Sequence, residues 1–430
     1  MRPRQGSRTF TTGAAIAMTV GLLAACSSGG GNATGGDTTA EKIRVLAVQG
    51  PETDALAAHS KNFTEESGID VQIDKVARDI WSQRKVAELA QDAGTYDVVF
   101  LGGGDDALWM KTNAHVRDLT QYLGEDLIAD IANHELFTTE DGEFVGAPQY
   151  FNFPMIFYRA DLFEDPDEQA AFKAEYGREL APPTTYDELV DIATFFNRPD
   201  DELYGTCVGG IPSSIFGDHT YITYGQGANY GDLDTGELTL DTPEQVKTLQ
   251  ILDQLTALNP PGWEEMNFFD CDNRMKEGSI AIYQNWLYAW DALSPEMGDK
   301  LAMAPPPGEE THIGSMLATI PEAASNPDAA GQFIEWMLSD EYQLAQTEQT
   351  GNLPALESQQ DSQEFAAVLP QMEMLKSVTP RLTYLHVTWA GELSTGVADA
   401  IAKVYSDEMT AEEATDWLQN EKFAGREAIE

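Results

Sequence analysis

The sequence predicts an α/β protein of two domains, and three observations carry that prediction. Strand-like and helix-like stretches alternate from Lys42 onward. The chain has 430 residues, more than one hydrophobic core comfortably holds. Residues 96–101 and 151–159 are apolar runs of buried-strand length, one in an early unit and one near the centre.

The first segment concerns location and not fold. Arg2, Arg4 and Arg8 precede an uncharged stretch, residues 9–25, too short and too rich in Gly, Ala and Thr for a membrane span. It ends in Leu23-Ala24-Ala25-Cys26, which resembles the lipobox of bacterial lipoproteins. That resemblance implies a signal peptide over 1–25, a lipid on Cys26 and an extracytoplasmic place on the cell membrane. Residues 26–41, dominated by Gly and Ser, form a tether with no means of building a core.

Removing 25 of 430 residues leaves 405, with no later segment of membrane-spanning length and apolarity. Three of the 25 basic residues lie in the leader, which leaves 22 against 72 acidic ones and a net charge of −50. Such a charge opposes binding to nucleic acid or an anionic membrane surface. The acids are spread along the whole chain, as on a salt-adapted surface, although a cationic ligand is the competing reading. Outside the cytoplasm the remaining pair, Cys207 and Cys271, reads as a disulfide before a metal site or nucleophile.

Residues 43–48 read as a strand closed by Gly50-Pro51, followed by a helix over 53–67 that Gly68 stops. Ile69, Val71 and Ile73 alternate as a strand, residues 79–92 as a helix, and 96–101 as a buried strand. This alternation implies parallel pairing covered on both faces, with a ligand crevice beyond the carboxyl ends of the strands. Gly50-Pro51 and residues 102–106 then stand at the crevice edge. The glycine run 102–104 lacks dinucleotide-binding spacing and is followed by two aspartates, so it reads as backbone room beside a solute. Thr185 with Glu188 forms a helix-starting capping box, and Thr242 caps another helix with Pro243 in its first position.

The order of motifs is similar to that of the family 1 extracellular solute-binding proteins of ABC importers, which include maltodextrin and polyol binders. The pieces are Phe63-x4-Gly68-Ile69-x-Val71, Tyr96-Asp97-Val98-Val99, Gly142-x3-Gly146-x-Pro148 and Phe157-Tyr158-Arg159-x-Asp161-Leu162-Phe163. Further on come Pro183-Thr184-Thr185-Tyr186-Asp187-Glu188-Leu189, Gly278-Ser279-Ile280-Ala281-Ile282, Pro305-Pro306-Pro307-Gly308 and Asn326-Pro327-x2-Ala330-x2-Phe333-Ile334. Arg159 and Ile282 depart from the usual Asn and Met. The resemblance implies the periplasmic-binding-protein-like (type II) fold: two α/β lobes on hinge strands with a ligand cleft between them. By analogy the first lobe holds 42–148 plus 306–350 and the second 150–304 plus 353–430. The crossings then fall at 148–152, 303–306 and 351–354.

A sugar or polyol site needs aromatic faces for C–H surfaces and amides or carboxylates for hydroxyls. Residues 282–290 are the richest stretch, with Trp286, Tyr288 and Trp290 as candidate walls against a reading as plain aromatic core. Tyr150 and Asn152 sit at the first crossing, and Asp105 and Asp106 follow the third strand as hydroxyl acceptors. Gly314 and Ser315 match a small-residue position near the family's cleft. Trp81, Trp109, Trp263 and Trp389 could each reach the cleft although lone tryptophans are more often core, and Trp263 ranks above Trp389 because Pro260-Pro261-Gly262 marks a loop.

A secreted enzyme is the main rival. No nucleophile elbow or zinc-protease signature occurs, and the six histidines lack ligand spacing, so neither catalysis, a metal nor a cofactor is expected. Residues 231–238 read as a hairpin turn and not a calcium loop. The expectation is a monomeric binding protein that closes by hinge bending on a neutral sugar or polyol and delivers it to ABC permease subunits. A cationic solute or a sensor partner remains the alternative.

Overall fold

Ile43, Val45 and Leu46 are fully buried, and the strand they form, Lys42–Val48 (β1), has a neighbour on each side. The structure is a computed structural model that describes residues 41–91, 94–102, 115–139, 141–232, 235–308, 310–378, 380–381 and 390–427. The leader with Cys26, most of the tether, and Asp105, Asp106, Trp109 and Trp389 lie outside these residues.

β1 pairs in parallel with Asp70–Val76 (β2) from Lys42↔Asp70 to Val48↔Val76, and with the wholly buried Val98–Gly102 (β3). The intervening helix Pro51–Ser67 begins on a proline and ends at Gly68, whose φ of 77° suits its left-handed cap. The helix Arg78–Leu89 covers β3, and its Trp81, 1% exposed, donates its indole N–H to Phe100 O at 2.9 Å. Trp81 is therefore core.

Two strands from elsewhere finish this sheet. Met316–Thr319 (β9) lies antiparallel to β3, and Ala147–Pro148 (β4) lies antiparallel to β9, giving the order β2-β1-β3-β9-β4. The second sheet is smaller and antiparallel throughout. Pro154–Arg159 (β5) sits between Ile282–Trp286 (β6) and Leu301–Ala304 (β7). Parallel pairing expected from the early alternation thus holds for β2-β1-β3 and fails where strands come from distant segments. A short parallel pair joins Thr311–His312 (β8) to Pro380–Arg381 (β10).

The capping prediction is met with one change. Thr185 accepts from Glu188 N, while the Glu188 carboxylate reaches back to Thr184 N at 2.8 Å, one residue before the cap. Gly231 and Leu238 bridge as an antiparallel turn, and among the described residues no cluster of His, Cys, Asp and Glu could hold a metal ion. Cys207 and Cys271 are bonded, with Cα atoms 5.6 Å apart. No helix among the described residues is long and apolar enough to cross a membrane.

Two of the expected crossings fall elsewhere. After β7 the chain stays beside the helix Pro212–Gly225. Gly308 N donates to Thr184 O at 3.0 Å, a Cβ on Gly225 would lie 2.7 Å from Pro307 O, and His312 faces Tyr221 and Tyr224. Only after Gly314 does it enter the larger sheet, so the crossing at 303–306 is corrected to about 313–316. The proline run looked like an exit but folds the chain back, with Gly308 at φ 95° pressed on Gly225. Residues 353–378 likewise do not leave at 351–354. Leu356 bridges Ile131, Ala132 N donates to Ala355 O, and Ser358 N donates to Asp130 Oδ1. The helix Ala390–Tyr405 packs on Pro212–Gly225, so the return comes between these segments.

Candidate functional site

Asn152 is the junction from which the site can be built. It follows β4 and precedes β5, and its backbone O accepts from Gly314 N at 2.8 Å. Its Oδ1 accepts from Leu287 N at 3.0 Å. One buried residue thus ties the first crossing to the second through its backbone, and through its side chain to the turn that leaves β6. Those bonds occupy the two oxygens of Asn152 in positioning the chain. Next to it, Phe151 and Leu353 exchange both backbone hydrogen bonds, which brings the third segment to the same place.

Trp286 ends β6 and is half-buried. Its indole lies against Gly314 so closely that a Cβ there would come within 2.2 Å of the ring, so glycine is the residue this contact permits. Tyr221 stands edge-on to the indole with ring centres 5.6 Å apart, and His312 does so at 5.3 Å. Trp286 and Gly314, chosen separately from the sequence, therefore meet. Tyr221 and His312 were missed. His312 stood among scattered histidines, and the only local signal for Tyr221 was aromatic spacing with Tyr224 on one helix.

The second group surrounds Glu52, at the start of the helix after β1. Glu52 Oε1 accepts from Asn352 Nδ2 at 3.2 Å, and its backbone O accepts from Gln149 Nε2 at 3.0 Å. Burial first, and then the Glu52 carboxylate, hold the Tyr150 hydroxyl well above the usual tyrosine range. Tyr288 is raised by burial, then by Asp272, and Glu52 adds a smaller push. Tyr150, Tyr288 and Glu52 are thus electrostatic neighbours, which present neutral hydroxyls beside one carboxylate. The sequence marked Gly50-Pro51 as crevice edge and stopped one residue short of Glu52.

Tyr288 also packs its ring on Phe269, centres 5.5 Å apart, and Phe269 is 65% exposed. Trp290 is half-buried against the main core, and Ser315 is buried with its Oγ unpartnered. Trp263 goes elsewhere. It is 7% exposed, with its ring edge-on to Tyr405 at 5.1 Å and its backbone O bound by Gly210 N. The expectation that its loop would carry it to the site is corrected: Gly262, at φ 81°, turns the ring into the core. A cavity of 350 Å³ lined by Asp253, Asp407, Glu408 and Glu412 contains no aromatic ring and no junction residue, so it does not compete.

Aromatic edges, amides and neutral hydroxyls gathered where chain segments cross between two sheets suit the binding of a small solute. Residues 58–371 match the bacterial extracellular solute-binding protein family, so the chain belongs to that family and is a binding protein and not an enzyme. A mannitol-binding protein of Pseudomonas aeruginosa is 23% identical over 411 residues, covering 88% of this chain and 90% of its own. A probable amino-acid ABC transporter periplasmic-binding protein of Sinorhizobium fredii is 24% identical over 355 residues, 77% of each chain. Among solved structures, a solute-binding protein from Agrobacterium vitis S4 with bound D-mannitol superposes with a TM-score of 0.72 at 21% identity. It covers 89% of this chain and 97% of its own. Maltose-bound MalE3 of T. maritima gives 0.72 at 21%, covering 89% and 99%. The fold is the two-lobe periplasmic-binding-protein fold, and the family places the chain outside the cytoplasm, working with ABC transporter components.

Proposed function

We propose that the chain captures a neutral sugar or polyol at the junction and delivers it to the permease subunits of an ABC importer by hinge closure. The observation that carries this reading is the half-buried Trp286 over Gly314, walled by Tyr221 and His312. Such a wall suits a C–H face, while Glu52, Tyr150 and the amides nearby suit hydroxyls. The mannitol-, ribitol- and maltose-bound relatives support the same class. The amino-acid-type relative favours a zwitterion instead, which the test below separates.

In this reading Tyr150, Asn152, Trp286, Tyr288, Trp290, Gly314 and Ser315 belong to or support the site, and Asp105 and Asp106, outside the described residues, are candidate hydroxyl acceptors. That lobe comprises 42–148 and 316–378, and the second 150–312 and 390–427. A lipid on Cys26 holds the monomer at the outer membrane face, so Cys26→Ser releases it from the membrane fraction. D-mannitol, ribitol and maltose are compared with a diamine and neutral amino acids in thermal-shift and calorimetric titrations. A ligand at a hundredfold its Kd adds about 2.7 kcal/mol to the native state, a shift readily seen. Trp286→Ala removes the shift while the unliganded Tm holds. Stabilisation by an amino acid or diamine and by none of the carbohydrates defeats the reading.

A further inference from the structure

Asp272 is 4% exposed on the helix Phe268–Lys276, and its carboxylate gathers three side chains from the segment that carries Trp286. Oδ1 accepts from the Tyr283 hydroxyl at 2.6 Å and from Asn285 Nδ2 at 2.7 Å. Oδ2 accepts from the Tyr288 hydroxyl at 3.2 Å. Asn285, fully buried, turns its other end to the Trp286 backbone, whose N–H its Oδ1 accepts at 2.8 Å. An unbroken line of hydrogen bonds therefore runs from Asp272 through Asn285 to Trp286, and a second runs directly to Tyr288.

The helix under this carboxylate is itself fixed twice. Cys271, the preceding residue, is bonded to Cys207, and Asn267 with Asp270 forms a full capping box at the helix start. Burying a carboxylate costs free energy unless its oxygens are satisfied, and here three donors meet it. An apolar side chain of similar size would fill the volume without that cost. It would leave the Tyr288 hydroxyl and the Asn285 amide without the acceptor that sets their orientation.

We propose that Asp272 is the positioning residue of the solute site, fixing Trp286 through Asn285 and Tyr288 through its hydroxyl. The proposal rests on the solute reading given above. Asp272 touches no solute itself, and its effect is on affinity through residues that do. Burial raises its pKa, and the bonds from Tyr283, Asn285 and Tyr288 work against that rise.

The test measures Kd for D-mannitol, ribitol and maltose by calorimetry, beside the unliganded Tm and near-ultraviolet circular dichroism. Asp272→Ala weakens binding at least about tenfold in protein that remains folded, the scale of losing buried hydrogen bonds. Asp272→Asn keeps an acceptor for Asn285 and a donor toward Tyr288, and restores Kd to within about threefold of the original. Tyr288→Phe weakens binding alone and adds nothing in the Asp272→Ala background, because both act along one path. An unchanged Kd in folded Asp272→Ala with a lowered Tm, or additive effects of the pair, overturns the positioning role. If Asp272→Ala does not fold, Asn285→Ala cuts the same line, and an unchanged Kd there overturns it equally. A wild type that binds none of the three probes defeats the solute reading as well. A wild type that binds beside an unmoved Asp272→Ala defeats this proposal alone.

Discussion

The two sheets of this molecule bury different chemistry. At the centre of the larger one, β3 packs Val98, Val99, Phe100 and Leu101 between β1 and β9, and these apolar side chains make no hydrogen bonds of their own, although Trp81 and Thr319 donate to the carbonyls of Phe100 and Val99. The smaller one buries Tyr283, Gln284 and Asn285 in succession on β6, where side-chain hydrogen bonds run to Asp272 and Tyr186. An apolar strand is held by packing, which tolerates many arrangements of similar volume. A strand bonded through side chains is held in one orientation. The larger sheet therefore serves as frame, and the smaller one presents Trp286 at a defined angle.

The most damaging way to probe that contrast is Leu101→Ala. Removing a fully buried leucine costs about 2–5 kcal/mol of stability, read by denaturant unfolding, while Kd of the folded protein stays the same. A matching loss of affinity would break the division between frame and site. Gly314→Ala places a methyl within 2.2 Å of the Trp286 ring. Overpacking of this kind costs about 1–3 kcal/mol, and here the displaced indole also weakens solute binding in calorimetry. A stable variant with unchanged Kd would show that the indole's seat is irrelevant.

A smaller effect follows from His219, buried beside the helix Pro243–Thr256 with its Nδ1 2.8 Å from the Tyr230 hydroxyl. Burial lowers its pKa from 6.5 to about 3, so the folded state keeps it neutral while the unfolded chain takes a proton below 6.5. Its stabilising contribution is full above pH 6.5 and declines as pH falls toward 3, at about 1.4 kcal/mol per pH unit. Urea unfolding at pH 7 and pH 5 should show that loss shrink in His219→Gln. An equal loss would place the acid sensitivity elsewhere. The least effect is expected from Trp263→Phe, which trims a core ring at Tyr405, costs roughly 1 kcal/mol of stability in denaturant unfolding and leaves Kd alone.

Much of the frame was legible locally. Gly68 stopping a helix, Thr185 and Thr242 starting two others and the strand at 43–48 all depend on neighbours within a few residues. The two displaced crossings depend on contacts that no local pattern contains, Gly308 on Gly225 and Leu356 on Ile131. The site divides along the same line. Trp286 and Gly314, which the fold sets in contact, could be singled out because an aromatic-rich strand end and a small-residue position each have a signature. Tyr221, His312 and Glu52 are ordinary residues until the fold sets them beside those two. Trp263 failed for the converse reason: a Pro-Pro-Gly loop announces a turn, and says nothing of which way the next side chain faces.

The strand order β3-β9-β4 also bears on how the chain reaches its working form. β4 bonds only to β9 within the sheet, yet Pro148 emerges long before Met316 during synthesis. Until residues 316–319 are available, β3 has an open edge, β4 has no partner, and the backbone loop between them is at its costliest to close. The larger sheet of such a chain is completed only after most of the polypeptide has been made.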